Sequence, residues 1–344
     1  MTTTLIPTTA LGRTGMDITR VGFGAWALGG GDWAFSWGPQ DDDEAVGAIR
    51  YALSTGINWI DTAAVYGLGH SEEVVARALR DIPLGERPYV FTKGGLVWDD
   101  ADRTAEPRRV GDPKSLRREL EMSLRRLEVE QIDLYQMHWP SEDGTKLEDY
   151  WQVLLDFKQE GKVRAVGLSN HSVKQLERAE ILGHVDTLQP QFSAIHRDAA
   201  SDLLPWSSDH ATGVIVYSPM MSGLLTGSFT KERVEGLPRD DWRRTSPDFT
   251  TNLAANLTVA QALEAVADRH GVSTPAAAVA WVLLFEGVSG AIVGARGPAQ
   301  VEGWLPGAQI TLTERDINDI ATAVETSGAG EGPSHPNRPK HPLG

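Results

Sequence analysis

Residues 132–168 read IDLYQMHWPSEDGTKLEDYWQVLLDFKQEGKVRAVGL, and they hold one complete structural unit. A β-rich run (132–137) leads into a polar connection and a stretch with helical spacing (150–160). Gly161 follows, which suits a left-handed helix cap, and a second β-rich run (165–168) closes the unit. Two strands joined through a helix pair in parallel. The same alternation recurs along the chain, with strands predicted near 18–24, 58–61, 89–92, 132–137, 165–168, 187–192, 213–217 and 290–293. Between them, 41–54 opens on Asp41, Asp42 and Asp43 and puts Val46, Ile49 and Leu53 on one face. Residues 113–128 stripe Leu116, Leu120, Leu124 and Leu127, and 274–286 starts with Pro275 in its first turn. Eight such units favour a closed (β/α)8 TIM barrel. An open doubly wound sheet would need a Gly-rich turn feeding a helix. The run GFGAWALGGGDW (22–33) is Gly-rich, but no helix starts at its third glycine.

Around the barrel, residues 5–10 and 16–20 flank Gly12-Arg13-Thr14-Gly15 and predict an N-terminal β-hairpin plugging the barrel floor. Long loops at 29–39 and 94–113 are expected to shape an active site, and the polar, charge-mixed stretch 225–256 is expected to be functional or mobile. The barrel domain is expected over 1–327. The tail from Gly328 holds eight Gly or Pro in 17 residues and is expected to be disordered.

Composition narrows the function. The 344 residues sum to 32 − 47 = −15 in charge, which disfavours nucleic-acid backbones. There are no cysteines, so disulfides, thiolate metal sites and cysteine nucleophiles are excluded. No apolar run approaches the ~20 residues of a membrane span, and the start of the chain lacks a signal-peptide pattern. A soluble, cytoplasmic protein with no membrane or nucleic-acid partner is expected, its oligomeric state open.

The barrel reading says where to look, because the C-terminal strand ends build the active site. Strand two ends in Asp61 with Tyr66 shortly after, strand three in Lys93, strand four in His138. Each alone has a bland explanation: a turn cap, a surface aromatic, a solvated lysine, a packed histidine. Together, on consecutive strand ends, they suit carbonyl reduction. A tyrosine phenol near pKa 10 is a weak acid. A neighbouring Lys93 ammonium, held by Asp61, would lower its pKa, while His138 orients the carbonyl. None of these groups supplies hydride, so an organic cofactor is required. A metal-dependent hydrolase built on His70, His138 and Asp61 is the weaker alternative, since no His-x-His pair exists.

The blocks IDTAAVYGLGHSEEVVARAL (60–79), VFTKGG (90–95), YQMHWP (135–140), VRAVGLSNHS (163–172), TLQPQFS (187–193), VYSPMMSGLLTG (216–227) and GAIVGARGPAQVE (290–302) resemble the aldo-keto reductase superfamily in order and spacing. The likeness runs from about residue 11 to 323 and is nearest the bacterial and plant branch with stress-protein and β-subunit-like reductases. The resemblance implies a barrel binding NADP(H) in extended form and a catalytic tetrad of Asp61, Tyr66, Lys93 and His138, with Tyr66 as general acid–base. It further implies that Ser169, Asn170 and Gln191 bond the nicotinamide carboxamide and that Tyr217 stacks under its ring. Ser218, Pro219, Met220, Ser222, Gly223 and Leu224 would follow the pyrophosphate, and Gly294, Arg296 and Gln300 the adenosine end. Gly24 and Trp26 complete the expected cofactor set. Arg296 suits a ribose 2′-phosphate, favouring NADP(H), with NAD(H) possible. Related chains often continue Gln-Val-Glu-Glu-Asn where this one reads Gln300-Val301-Glu302-Gly303-Trp304, so Trp304 replaces an adenine-contacting asparagine.

Eleven tryptophans are many, and Trp33, Trp37, Trp98 and Trp139 fall on expected rim loops. They predict an aromatic-walled pocket for an aldehyde, ketone or sugar carbonyl. The competing function is a nucleotide-binding regulatory or redox-sensing subunit with slow turnover, as in some relatives.

Overall fold

The computed structural model describes residues 6–238 and 241–336. Strands β1 (Thr8–Ala10) and β2 (Asp17–Thr19) form the antiparallel hairpin. Strands β3 (Val21–Gly24), β4 (Trp59–Asp61) and β5 (Tyr89–Gly94) open the barrel. Strands β6 (Leu96–Val97) and β7 (Arg108–Arg109) pair as a small antiparallel ribbon above it. Strands β8 (Ile132–Met137), β9 (Val163–Ser169), β10 (Thr187–Gln189), β11 (Gly213–Val216) and β12 (Val288–Gly294) complete the ring. All eight barrel strands run parallel, and β12 closes on β3.

The boundaries move for identifiable reasons. The strand expected over 18–24 divides at Arg20, whose N–H donates to Pro7 O. Its first half belongs to the hairpin and its second to the barrel. The strand expected over 187–192 stops at Gln189 because Pro190 has no N–H for the ladder. The helix expected over 150–160 begins earlier, at Leu147, and runs to Gln159, with Gly161 at φ 75° just beyond. The helix at Pro113–Leu127 ends without a glycine, Glu128 itself taking the left-handed φ of 55°. Thr274 starts a helix that ends at Val282.

The barrel interior is a compact apolar plug. Leu11, Met16 and Ile18 from the hairpin pack beneath Trp59, Phe91, Leu134, Ala165, Ile215 and Ile292, all buried. Trp59 lies across the axis, its indole N–H donating to Thr19 O at 2.8 Å. Its ring presses on β3 so closely that a Cβ at Gly22 would sit 2.1 Å from Trp59 Cε2. Helices pack their apolar faces onto the outside of the sheet, forming the larger core. Sealing the bottom half with side chains leaves the C-terminal rim as the place for a site. Among the described residues no helix is long and apolar enough to cross a membrane.

The C-terminal segment corrects an expectation. From Ala329 to Gly332 the chain is docked rather than loose. The buried Arg197 guanidinium donates to the carbonyls of Ala329, Gly330 and Gly332, and Arg197 N–H to Glu331 O. Residues 337–344, the rest of the expected disordered tail, lie outside the described residues, as do 239–240 of the long loop.

Candidate active site

Register brings the strand ends together. Gly24 pairs with Asp61 on one side and Gly294 on the other, so β12, β3 and β4 end side by side. Lys93 follows on β5, and His138 comes immediately after β8.

At the centre is a buried ion pair. Lys93 Nζ donates to Asp61 Oδ2 at 2.5 Å and to Thr62 O at 2.9 Å. Lys93 is 1% and Asp61 2% exposed. Burial pushes the lysine pKa down and the aspartate pKa up, in each case against the partner's opposing charge. The second carboxylate oxygen, Asp61 Oδ1, accepts from Gln189 Nε2 at 2.9 Å.

Tyr66 sits over this pair, with Lys93 Nζ 5.2 Å from its ring centroid. His138 meets the same ring edge-on, centroids 5.7 Å apart and planes at 78°. The four residues expected to act together therefore converge. Their electrostatics differ from expectation, however. Burial, followed by the charge of Asp61 and by Tyr217, holds the Tyr66 phenol well above 10 rather than lowering it. The Lys93 ammonium is spent on Asp61, so little net positive charge reaches the phenol. The His138 imidazole is held well below 6.5 by burial, then by Lys93 and Arg109, and is neutral at pH 7. Its Nδ1 is buried without a hydrogen-bond partner.

Beside this cluster, several residues expected to meet nicotinamide are wired to one another. Asn170, at φ 62°, donates through Nδ2 to His138 O at 3.0 Å and accepts from Tyr217 Oη at 2.7 Å. Ser169 Oγ donates to Gln189 O at 2.9 Å. Gln191 pairs with Tyr217 across the strand gap and points Nε2 at Met221 Sδ, 3.3 Å away.

After β11 the chain makes a tight reversal. Ser218, Met221 and Ser222 take φ of 58°, 46° and 52°, and Gly223 takes 92°. Non-glycine residues in that region cost about 1–3 kcal/mol each, strain that concentrates at ligand clamps. Within the turn, Met221 N–H donates to Ser218 O at 3.0 Å and Gly223 N–H to Met220 O at 3.1 Å. This is the turn that the family resemblance expects to follow a dinucleotide pyrophosphate. Leu224 contributes only backbone, because its side chain is fully buried in the core. Pro219 is likewise buried, and Met220 partly so.

The adenosine end fits less simply. Gln300 Oε1 accepts Arg296 N–H at 2.6 Å, while the Arg296 guanidinium bonds the 37–40 segment. Trp304, 1% exposed, is a core residue and offers no surface to adenine.

The tryptophans divide. Trp26 stacks on Tyr66 with centroids 6.2 Å apart and planes at 28°, and Trp37 meets Trp26 edge-on at 5.3 Å. Trp33 is buried with Ala63 and Val65, its indole N–H on Gly30 O, and so serves packing. Trp98 donates to Asp100, and Trp139 lies under the Arg109 guanidinium at 4.4 Å. Sequence reasoning missed Trp242. It stacks on Trp26 at 6.2 Å and meets Trp37 at 6.0 Å, so the 225–256 loop closes the aromatic roof over Tyr66. It also missed Gln189, the last residue of β10, which lies two positions before Gln191. His70 faces Asp42, not Asp61, and among the described residues no three ligating side chains are grouped to hold a metal.

The closed parallel barrel thus gathers Asp61, Lys93, Tyr66 and His138 at one rim. A profile of the aldo/keto reductase family matches residues 20–325, and the chain belongs to that family. It is 34% identical over 324 residues to aldo-keto reductase YhdN of Bacillus subtilis, covering 93% of this chain and 94% of that protein. It is 33% identical to the NADH-specific methylglyoxal reductase of Escherichia coli, over 92% and 98% of the two chains. The solved glycerol dehydrogenase of Gluconobacter oxydans superposes with a TM-score of 0.84 at 36% identity, over all of both chains.

Proposed function

We propose that the protein reduces a small carbonyl compound with a nicotinamide dinucleotide, NADP(H) by preference and NAD(H) as the alternative. A bound reduced nicotinamide supplies the hydride. Tyr66 Oη gives its proton to the carbonyl oxygen, and His138, as a neutral imidazole, donates a hydrogen bond to the same oxygen. The Asp61–Lys93 pair, fixed by Gln189 and Thr62 O, holds the floor beneath the phenol. The Ser218–Gly223 turn takes the pyrophosphate, and the Ser169–Asn170–Gln191 group, with Tyr217, seats the nicotinamide.

The observation that carries this reading is the convergence of a buried Lys–Asp pair, a phenol and a neutral imidazole beside a turn of left-handed residues. The rings of Trp26, Trp37 and Trp242 pack on one another beside Tyr66 and supply an aromatic wall for a small substrate. Two relatives act on methylglyoxal and glycerol by name, so small oxygenated carbonyls and polyols come first in a panel. The test is fluorescence titration with NADPH and NADH, followed by nucleotide consumption with that panel. Binding with turnover is expected. Binding with no turnover on any carbonyl moves the protein to the regulatory-subunit alternative, and no binding of either nucleotide removes the reading.

A further inference from the structure

Arg296 stands where a cofactor phosphate is expected, yet its guanidinium is already occupied. Nε–H donates to Gln40 Oε1 at 2.6 Å, Nη1 to Trp37 O at 3.3 Å, and Nη2 to Pro39 O. Gln40 answers with Nε2 on the Arg296 carbonyl at 3.1 Å. The clasp ties the rim after β12 to the loop carrying Trp37. All three acceptors, one side-chain amide oxygen and two backbone carbonyls, are neutral, so a phosphate dianion would be the stronger partner for the same donors.

The loop so held forms part of the carbonyl pocket. Trp37 touches Trp26 and Trp242, and Trp26 stacks on Tyr66. We propose that Arg296 is a shared latch: it pins the 37–40 loop in the resting protein, and a dinucleotide carrying a 2′-phosphate draws it off, unpinning the Trp37 wall of the pocket. This rests on the nicotinamide-reductase reading above and deepens it. With NADH no phosphate reaches Arg296, the clasp persists, and Trp37 stays in place. With NADPH the guanidinium leaves the loop, and the wall loosens. Arg296 is thus a positioning residue that acts on the carbonyl through Trp37, and the choice of cofactor sets the state of the substrate pocket.

Gln40→Ala separates the two claims on Arg296, because it removes a competitor and leaves the guanidinium. Titration by cofactor fluorescence should show NADPH bound about five- to tenfold more tightly, the net scale of one ordinary hydrogen bond, with NADH changed less than about twofold. Arg296→Ala should bring NADPH down to the affinity of NADH. With NADH as cofactor, it should also raise the carbonyl KM about threefold or more, with kcat largely kept. The latch is overturned if Gln40→Ala leaves NADPH affinity unchanged, weakens it, or shifts both nucleotides alike. It is overturned too if wild type binds NADH only, although the reductase reading then survives. Wild type binding neither nucleotide defeats the reductase reading itself, before any variant is compared. If Arg296→Ala does not fold, the Gln40→Ala titration decides alone.

Discussion

Replacing Lys93 by methionine isolates the electrostatics at the floor of the site. Lys93 and Asp61 are almost wholly buried, 2.5 Å apart. Removing the ammonium strands a carboxylate that keeps only the Gln189 amide at 2.9 Å. Breaking a buried pair from one side typically costs about 3–5 kcal/mol, most of it the penalty of the uncompensated charge. Removing both charges avoids that penalty, so Lys93→Met/Asp61→Asn should be more stable than Lys93→Met alone. The pH dependence has a definite sign. Burial already raises Asp61 above its ordinary value, and losing Lys93 removes the opposing influence. The native state then retains a proton that the unfolded chain releases near pH ~3.9. Stability of Lys93→Met therefore falls as pH rises through and above that value, until the raised folded pKa is passed. Urea denaturation midpoints for wild type, both single variants and the double, at pH 5 and pH 8, form the assay. Lys93→Met should lose most at pH 8 and recover toward pH 5, while the double variant should lack this recovery. If the double is no more stable than Lys93→Met, and neither responds to pH, stranded charge is not what the pair guards against.

Three further outcomes are expected. Tyr66→Phe should lower carbonyl reduction at least about 10²-fold while nucleotide affinity, read by fluorescence titration, stays within about twofold; a wild-type rate would remove Tyr66 from the acid role. His138 is held well below 6.5, so the unfolded chain binds its proton first as pH falls, and wild type should lose stability from about pH 7 toward pH 5 more steeply than His138→Gln; equal slopes in thermal melts at a series of pH values would contradict the buried neutral imidazole. Gly22→Ala places a methyl 2.1 Å from the Trp59 ring and should cost about 1–3 kcal/mol, seen as a lower melting temperature; an unchanged melt would mean that Trp59 is free to move.

The alternation of strand and helix was readable because short β-rich runs alternate with helical stripes, one of them closed by Gly161, whereas the stop that Pro190 imposes on β10 was read through. The hairpin plug was readable too, since Leu11, Met16 and Ile18 alternate around a Gly12–Gly15 turn. What escaped were choices that depend on distance. Gln189 and Gln191 are the same residue type two positions apart, and only the fold shows that Gln189 reaches Asp61. Trp242 lies in a charged stretch with no periodicity to assign it a direction, whereas Trp33, on a Gly-rich loop, is turned inward against Ala63 and Val65. The clasp between Arg296 and Gln40 joins positions 256 apart, beyond any local pattern.

The corrected electrostatics of Tyr66 bear on which way the reaction runs. Sequence alone places an ammonium near the phenol, and an isolated ammonium would make the phenol more acidic. Lys93, however, is neutralised by Asp61 at 2.5 Å, and the carboxylate itself raises the phenol further. At pH 7 the phenol is therefore fully protonated, as it must be to give a proton to a nascent alkoxide. Oxidation asks the reverse, a phenolate that can take the alcohol's proton, and that form is scarce until pH climbs well above 10. With Tyr66 as the proton-handling group, the resting site at neutral pH holds the protonated form from which reduction starts. Alcohol oxidation should accordingly gain rate with pH far more steeply than carbonyl reduction does, and Asp61→Asn, which removes the anion but keeps a polar side chain beside Lys93, should shift that rise to lower pH.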